Sequence, residues 1–195
     1  MKYRLHLSYL LIAIFCLLLG GCSGSSSASR KEHSGPPRDS TPKVLTPSAD
    51  GVTVYQNDLA SIDASNTSQG YVMVKYNGTN EKVKLQITCP DQSCYTYLIS
   101  DRGAYDTFPL TAGNGSYALQ VLENVAGDTY TVSLAQSINV SIEDEFLPFL
   151  YPNQYVNFHT DSKAVSKGSD LAKDTYSDLD VVQNIYNYVI KNISY

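Results

Sequence analysis

The sequence predicts a mainly β chain, a β-sandwich followed by a short α-helical segment and preceded by a signal peptide and a disordered tether. Three observations predict it. Apolar residues alternate with period two from about Val52 to Ile142. A basic start, an apolar run and a Ser-rich stretch come before that region. After Ser177 the apolar spacing changes to three and four. The expected divisions are a signal peptide at 1–21, a tether at 22–48, the sandwich at 49–142, a linker at 143–160 and a helical part at 161–195.

The first segment reads as a lipobox. Lys2 and Arg4 form a positive start, and Leu7 to Leu19 is almost continuously apolar. That run is of signal-peptide length and shorter than the roughly 20 residues that span a bilayer. Leu19, Gly20 and Gly21 are read as the signal-peptidase recognition residues, the two glycines being the small residues needed beside the scissile bond, and Cys22 follows with the only nucleophile placed to carry a diacylglycerol. Two acyl chains on one residue meet the requirement for stable anchoring. The expectation is a lipid-anchored protein on the extracytoplasmic face of a cell membrane, with membrane lipid as a partner through Cys22. An ordinary N-terminal anchor, or secretion after cleavage elsewhere, are the alternatives.

Removing residues 1–21 leaves about 174 of 195 residues, enough for one domain and part of a second. The net charge of −5 and the lack of a basic stripe argue against a nucleic-acid partner. Residues 23–47, rich in Ser and Pro, have too few apolar groups to offset the entropy of ordering, so they read as disordered. As a flexible coil they reach roughly 25–30 Å. His33, in this stretch, reads as a solvated residue.

Val83, Leu85 and Ile87 alternate with Lys84, Gln86 and Thr88, the pattern of a strand with one buried face. Tyr117, Leu119 and Val121 repeat it. So do Tyr130, Val132 and Leu134, continued by Ile138, Val140 and Ile142, with Gln136 as an interruption where a bulge or a change of sheet is expected. Further strands are predicted at 52–55, 61–64, 71–76, 94–100 and 106–110. Asn77-Gly78, Asp101-Arg102-Gly103, Gly113-Asn114-Gly115 and Ala126-Gly127-Asp128 punctuate them. Seven or eight short strands without an intervening helix predict an immunoglobulin-like sandwich.

Cys16 leaves with the signal and Cys22 is taken by lipid, so Cys89 and Cys94 remain, flanking Pro90-Asp91-Gln92-Ser93. If that loop closes a hairpin, the two cysteines are placed for a disulfide in an oxidising compartment; inert thiols are the alternative. A catalytic thiol would need a base and a pKa-lowering site, and neither is visible beside a β-turn. The Asn-x-Ser/Thr triplets at Asn66, Asn77, Asn114, Asn139 and Asn192 read as coincidences of composition beside a lipobox. Tyr95 and Tyr97 are candidates for a sugar- or peptide-binding face, but strands favour tyrosine in any case.

Glu143-Asp144-Glu145 reads as a solvated turn rather than a cation loop, since it lacks alternating oxygen ligands. The apolar residues from Phe146 to Pro152 are expected in a seam between two structural units. His159 has no partner at metal spacing and reads as a loop residue. No metal or cofactor is expected. A short helix is predicted over 162–173. A longer one starts at Ser177, where Ser177 and Asp180 have capping-box spacing, and presents Leu179, Val182, Ile185, Tyr186, Val189, Ile190 and Ile193 on one face. That stripe needs a partner, and the chain, ending at Tyr195 without a C-cap glycine, is expected to be interrupted.

The segment Asp180 to Tyr195, with Ile185, Tyr188, Val189, Ile193 and Tyr195 in an I-x-x-Y-V-x-x-x-I-x-Y pattern, resembles the opening helix of bacterial transglutaminase-like domains. The stretch from Phe146 to Ser162 is similar to the lead-in to that core in bacterial surface lipoproteins with an N-terminal β-sandwich. The resemblance implies thiol chemistry by a Cys, His and Asp triad downstream of this helix. No residue here matches those positions, and Cys89 and Cys94 lie upstream in the sandwich, so no catalytic residue is assigned and the chain is expected to be inactive. Two functions are therefore expected. One is the N-terminal portion of a lipid-anchored thiol acyltransferase or peptidase; the other is a complete non-catalytic lipoprotein whose sandwich binds a cell-wall polymer, a peptide or a partner protein.

Overall fold

Val83, Leu85 and Ile87 are fully buried while Lys84, Gln86 and Thr88 are not, so the strand alternation is realised side chain by side chain. The structure is a computed structural model that describes residues 35–194. The signal peptide, Leu19, Gly20, Gly21, Cys22 and His33 lie outside the described residues. Pro37 to Tyr195 form one compact unit.

Eight strands make two antiparallel sheets. The first holds β1 (Val54–Gln56), β2 (Ala60–Asp63), β3 (Tyr71–Tyr76) and β6 (Tyr105–Pro109), in the order β1-β2-β3-β6. The second holds β5 (Cys94–Leu98), β4 (Val83–Thr88), β7 (Gly115–Ala126) and β8 (Thr129–Val140), in the order β5-β4-β7-β8. The chain changes sheet between β3 and β4 and on either side of β6. β3 thereby pairs with β6, and β4 with β7. This interlocked antiparallel pairing is that of an immunoglobulin-like sandwich.

Between the sheets lie Ile62, Val72, Val74, Leu85, Ile87, Phe108, Leu119 and Val121, none more than 1% exposed. Each such side chain contributes about 1.5–3 kcal/mol by leaving water. Tyr117 ties the β6–β7 corner: its hydroxyl donates to the Gly113 carbonyl at 2.8 Å and accepts from the Ala112 N–H at 3.1 Å. Burial pushes this phenol up to about 12. It is the tyrosine corner of such sandwiches, legible in sequence from Tyr117 four residues after Gly113.

Two strands depart from simple alternation. β2 is buried at all four positions, and Tyr71 and Met73 of β3 are buried on the outer side of the first sheet. Chain entering and leaving the sandwich covers that side. The Ser48 N–H donates to the Tyr71 hydroxyl at 3.1 Å, and the Tyr151 ring lies 4.6 Å from the Tyr71 ring. The carboxylate of Asp63, 3% exposed, accepts the Gly51 and Ser65 N–H groups. In β8 the bulge is at Ser133, not near Gln136: Val121 faces Leu134 but Leu122 faces Val132, leaving Ser133 as the extra residue. One inserted residue reverses the side-chain phase. Ile138 and Val140 therefore stay in the core, whereas Val132 is 49% exposed and Tyr130 lies under Lys84 Nζ on the outer face.

After β8 the linker docks on the sandwich. The Glu143 N–H donates to the Ser68 carbonyl at 2.9 Å, and Pro148, in a 3-10 turn at Leu147–Phe149, packs on Gly70. Gly70 has φ +81°, and a Cβ there would meet the Pro148 ring at 2.4 Å. The seam expected for Phe146 to Pro152 is narrower than the sequence implies. Pro148 is buried, but Phe146, Phe149 and Leu150 are at least half exposed, because a three-residue turn with proline in it can turn only one side chain inward. Two helices follow, α1 (Lys163–Ala172) and α2 (Asp178–Asn192).

Candidate functional site

The described residues from the candidate sites fall in three places. The first is the β4–β5 turn. Five residues, 89–93, separate the paired Thr88 and Cys94. The Gln92 N–H closes a turn on the Cys89 carbonyl, with Gln92 itself at φ +68°, and the Cys89 N–H bonds the Ser93 carbonyl. Cys94 is thus opposite Thr88, one position out of step with Cys89. Since side chains alternate along a strand, the two thiols point to opposite faces. Both are free, Cys89 buried and Cys94 exposed. The disulfide left open by sequence is not formed, and a register offset of one residue is the reason. Burial holds the Cys89 thiol above its ordinary range, so it stays protonated and unreactive.

The second place is the open edge of the sandwich. Tyr95 and Tyr97 share one face of β5. Tyr97 is spent on packing, with its ring 5.2 Å from Phe108 and 5.8 Å from Tyr155, and burial raises its phenol. Tyr95 is 46% exposed and Tyr155, in the linker, 69% exposed. A shallow cleft of about 380 Å3 lies here, lined by Leu98, Ser100, Asp101, Asp106, Gln154, Tyr155 and Asn157. Burial, and then the nearby charge of Asp101, push the Asp106 carboxyl up. Gln154 donates to the Leu98 carbonyl at 3.1 Å, which fixes the linker over the edge. No sequence motif marks this cleft, because its walls come from β5, β6 and a segment some 50 residues further on.

The third is the helical hairpin. Ser177 and Asp180 form the predicted capping box, with the Ser177 Oγ accepting the Asp180 N–H at 3.2 Å and the Asp180 carboxylate accepting the Ser177 N–H at 2.9 Å. Asn184 donates to the Leu171 carbonyl at 2.9 Å and joins the helices. The sandwich does not cover the stripe of α2. Leu179 is 78% exposed, Val182 61%, Tyr186 59%, Ile190 58% and Ile193 50%. Neither helix has a buried residue.

The remaining candidates are structural. Glu143 accepts a bond from Gln69 Nε2 at 3.0 Å, and the Asp144 carboxylate accepts the Phe146 N–H, so this acidic run organises a turn. His159 is an exposed loop residue whose Nδ1 accepts the Asp161 N–H at 3.3 Å and whose own N–H donates to Ser162 Oγ at 2.9 Å. Among the described residues no three His, Cys, Asp or Glu side chains are placed to hold a metal ion. No helix among them is long and apolar enough to cross a membrane. No protein-family model and no curated protein matches the chain.

Proposed function

We propose that this protein is a membrane-anchored extracytoplasmic lipoprotein, held by lipid on Cys22. In this reading the sandwich is an accessory domain, and the helical hairpin is the leading part of a transglutaminase-like thiol enzyme module. The chain supplies none of the triad itself, so residues 1–195 have no activity of their own. One observation carries the reading: the apolar stripe of α2 is regular, capped at its start and uncovered. Exposed apolar surface in such an ordered array marks a contact face, and two of its exposed residues, Ile185 and Ile193, also belong to the transglutaminase-like pattern. The lipid anchor is supported by the order of basic start, apolar run, small residues and cysteine.

The edge cleft favours a second reading, in which the protein is a non-catalytic surface lipoprotein. There the exposed Tyr155 ring and the polar groups of Asp101, Asp106 and Asn157 take a cell-wall polymer, a peptide or a protein segment.

The test is the mass and acylation of the protein in its native cell envelope, alongside a Cys22→Ala variant. An acylated product well above 21.4 kDa supports the enzyme module. An acylated product of the size left after loss of residues 1–21 supports the second reading. Retention of the Cys22→Ala variant in the membrane, still acylated, would sink both.

A further inference from the structure

The stretch from Pro37 to Pro47 has no helix or strand, and the sequence reads it as the end of a disordered tether. It is nevertheless bonded at three points to the hairpin more than 120 residues away. The Arg38 N–H donates to the Thr175 carbonyl between the helices at 2.9 Å. The Arg38 guanidinium pairs with Asp178 in the first turn of α2. Ser169 Oγ, on α1, donates to the Ser40 carbonyl at 2.8 Å. Beside these bonds Pro42 and Val44 line an open groove of about 320 Å3 with Phe158, Val165, Ala172 and Val181. The polar composition that predicts disorder does not register this, because the partners are backbone carbonyls and side chains on a distant element.

We infer that residues 37–44 form a releasable strap, which couples the N-terminal end of the chain to the helical hairpin and gives the tether two lengths. Latched, the tether ends at Arg38 on α2. A pull from the N-terminal side is then borne by the hairpin before it reaches β1. Released, it ends near Ser48, where the Tyr71 hydroxyl holds the backbone, and residues 38–47 add roughly 35 Å of extended chain. The ion pair is the salt-sensitive part of the latch: the Asp178 side chain is 88% accessible, so salt screens it. The strap meets α2 at Val181 and Asp178 and leaves Leu179, Val182 and Tyr186 uncovered, so latching does not block the stripe. The strap itself does not depend on the function of the stripe or on lipidation; the two tether lengths rest on the Cys22 anchor of the proposed function.

Limited trypsin digestion of the full chain in detergent tests it, with cleavage after Lys43 in the strap measured against cleavage after the exposed Arg102 in the β5–β6 loop. The ratio is expected to rise about two- to fivefold for Arg38→Ala at low salt, the range that corresponds to an exposed ion pair. Wild type in 1 M salt should approach the variant, and Arg38→Lys should lie between the two. Cleavage after Lys43 in wild type as fast as in a free peptide of residues 37–48 would overturn the strap. So would a ratio indifferent to both Arg38→Ala and salt.

Discussion

Replacing Tyr117 with Phe removes one oxygen atom from a residue that is 0% exposed and keeps the ring that fills the corner. Two hydrogen bonds go with it, to the Gly113 carbonyl and from the Ala112 N–H, and both backbone groups lose their partner in a part-buried setting. At about 1 kcal/mol for each bond, with a further penalty for the stranded donor, the expected loss is about 2–3 kcal/mol at pH 7. For a unit of this size that is roughly a 5–10 °C fall in Tm. The alkaline limb gives an independent check. The folded phenol titrates at about 12 and the unfolded one near 10, so between those values the unfolded chain has lost a proton that the folded one keeps. Stability therefore falls as pH rises through that window, by up to about 3 kcal/mol for this residue, and is unaffected by it below pH 10. Burial also raises Tyr76, Tyr97 and Tyr151, so wild type has a steep alkaline limb, and Tyr117→Phe should make it shallower by as much as one proton. Urea unfolding followed by far-UV circular dichroism, at pH 7 and in steps from 9.5 to 12, reads both numbers. A loss under about 0.5 kcal/mol together with an unchanged alkaline slope would refute the role given to this hydroxyl.

Gly70→Ala should destabilise the unit by about 2 kcal/mol or more, from the left-handed backbone and from the contact with Pro148. Adding Pro148→Ala should recover the steric part and leave about 1 kcal/mol, as measured by thermal unfolding. Thiol labelling of the native protein should modify Cys94 within minutes and leave Cys89 untouched until denaturant is added. Equal labelling of both in the folded state, or of neither, would contradict the β4–β5 register.

The strands were legible because their signal is local. Val83, Leu85 and Ile87 announce a face without reference to any other part of the chain, and Ser177 with Asp180 announces a helix start within four residues. What the sequence hid depends on pairing or on distance. Ser133 bulges because of how β8 meets β7, and nothing in its own neighbourhood distinguishes it from Gln136. Cys89 and Cys94 look opposed across a four-residue loop, but a turn that includes Cys89 itself moves the register by one. The buried outer side of Tyr71 and Met73 owes its cover to Ser48 and Tyr151, which lie 23 residues before and 80 after Tyr71. The cleft beside Asp106 has the same origin. The α2 stripe is legible as a face from its spacing, but its exposure is a property of what does not pack on it.

Tyr71 receives the chain at both ends of the sandwich, with Ser48 on its hydroxyl and Tyr151 on its ring. Seen from the backbone, the whole two-sheet domain is an excursion that departs from and returns to one residue. A module with its two ends together can be excised, duplicated or spliced into a host loop with little displacement of what flanks it. With its entry and exit both held at Tyr71, the sandwich has the layout of such a module.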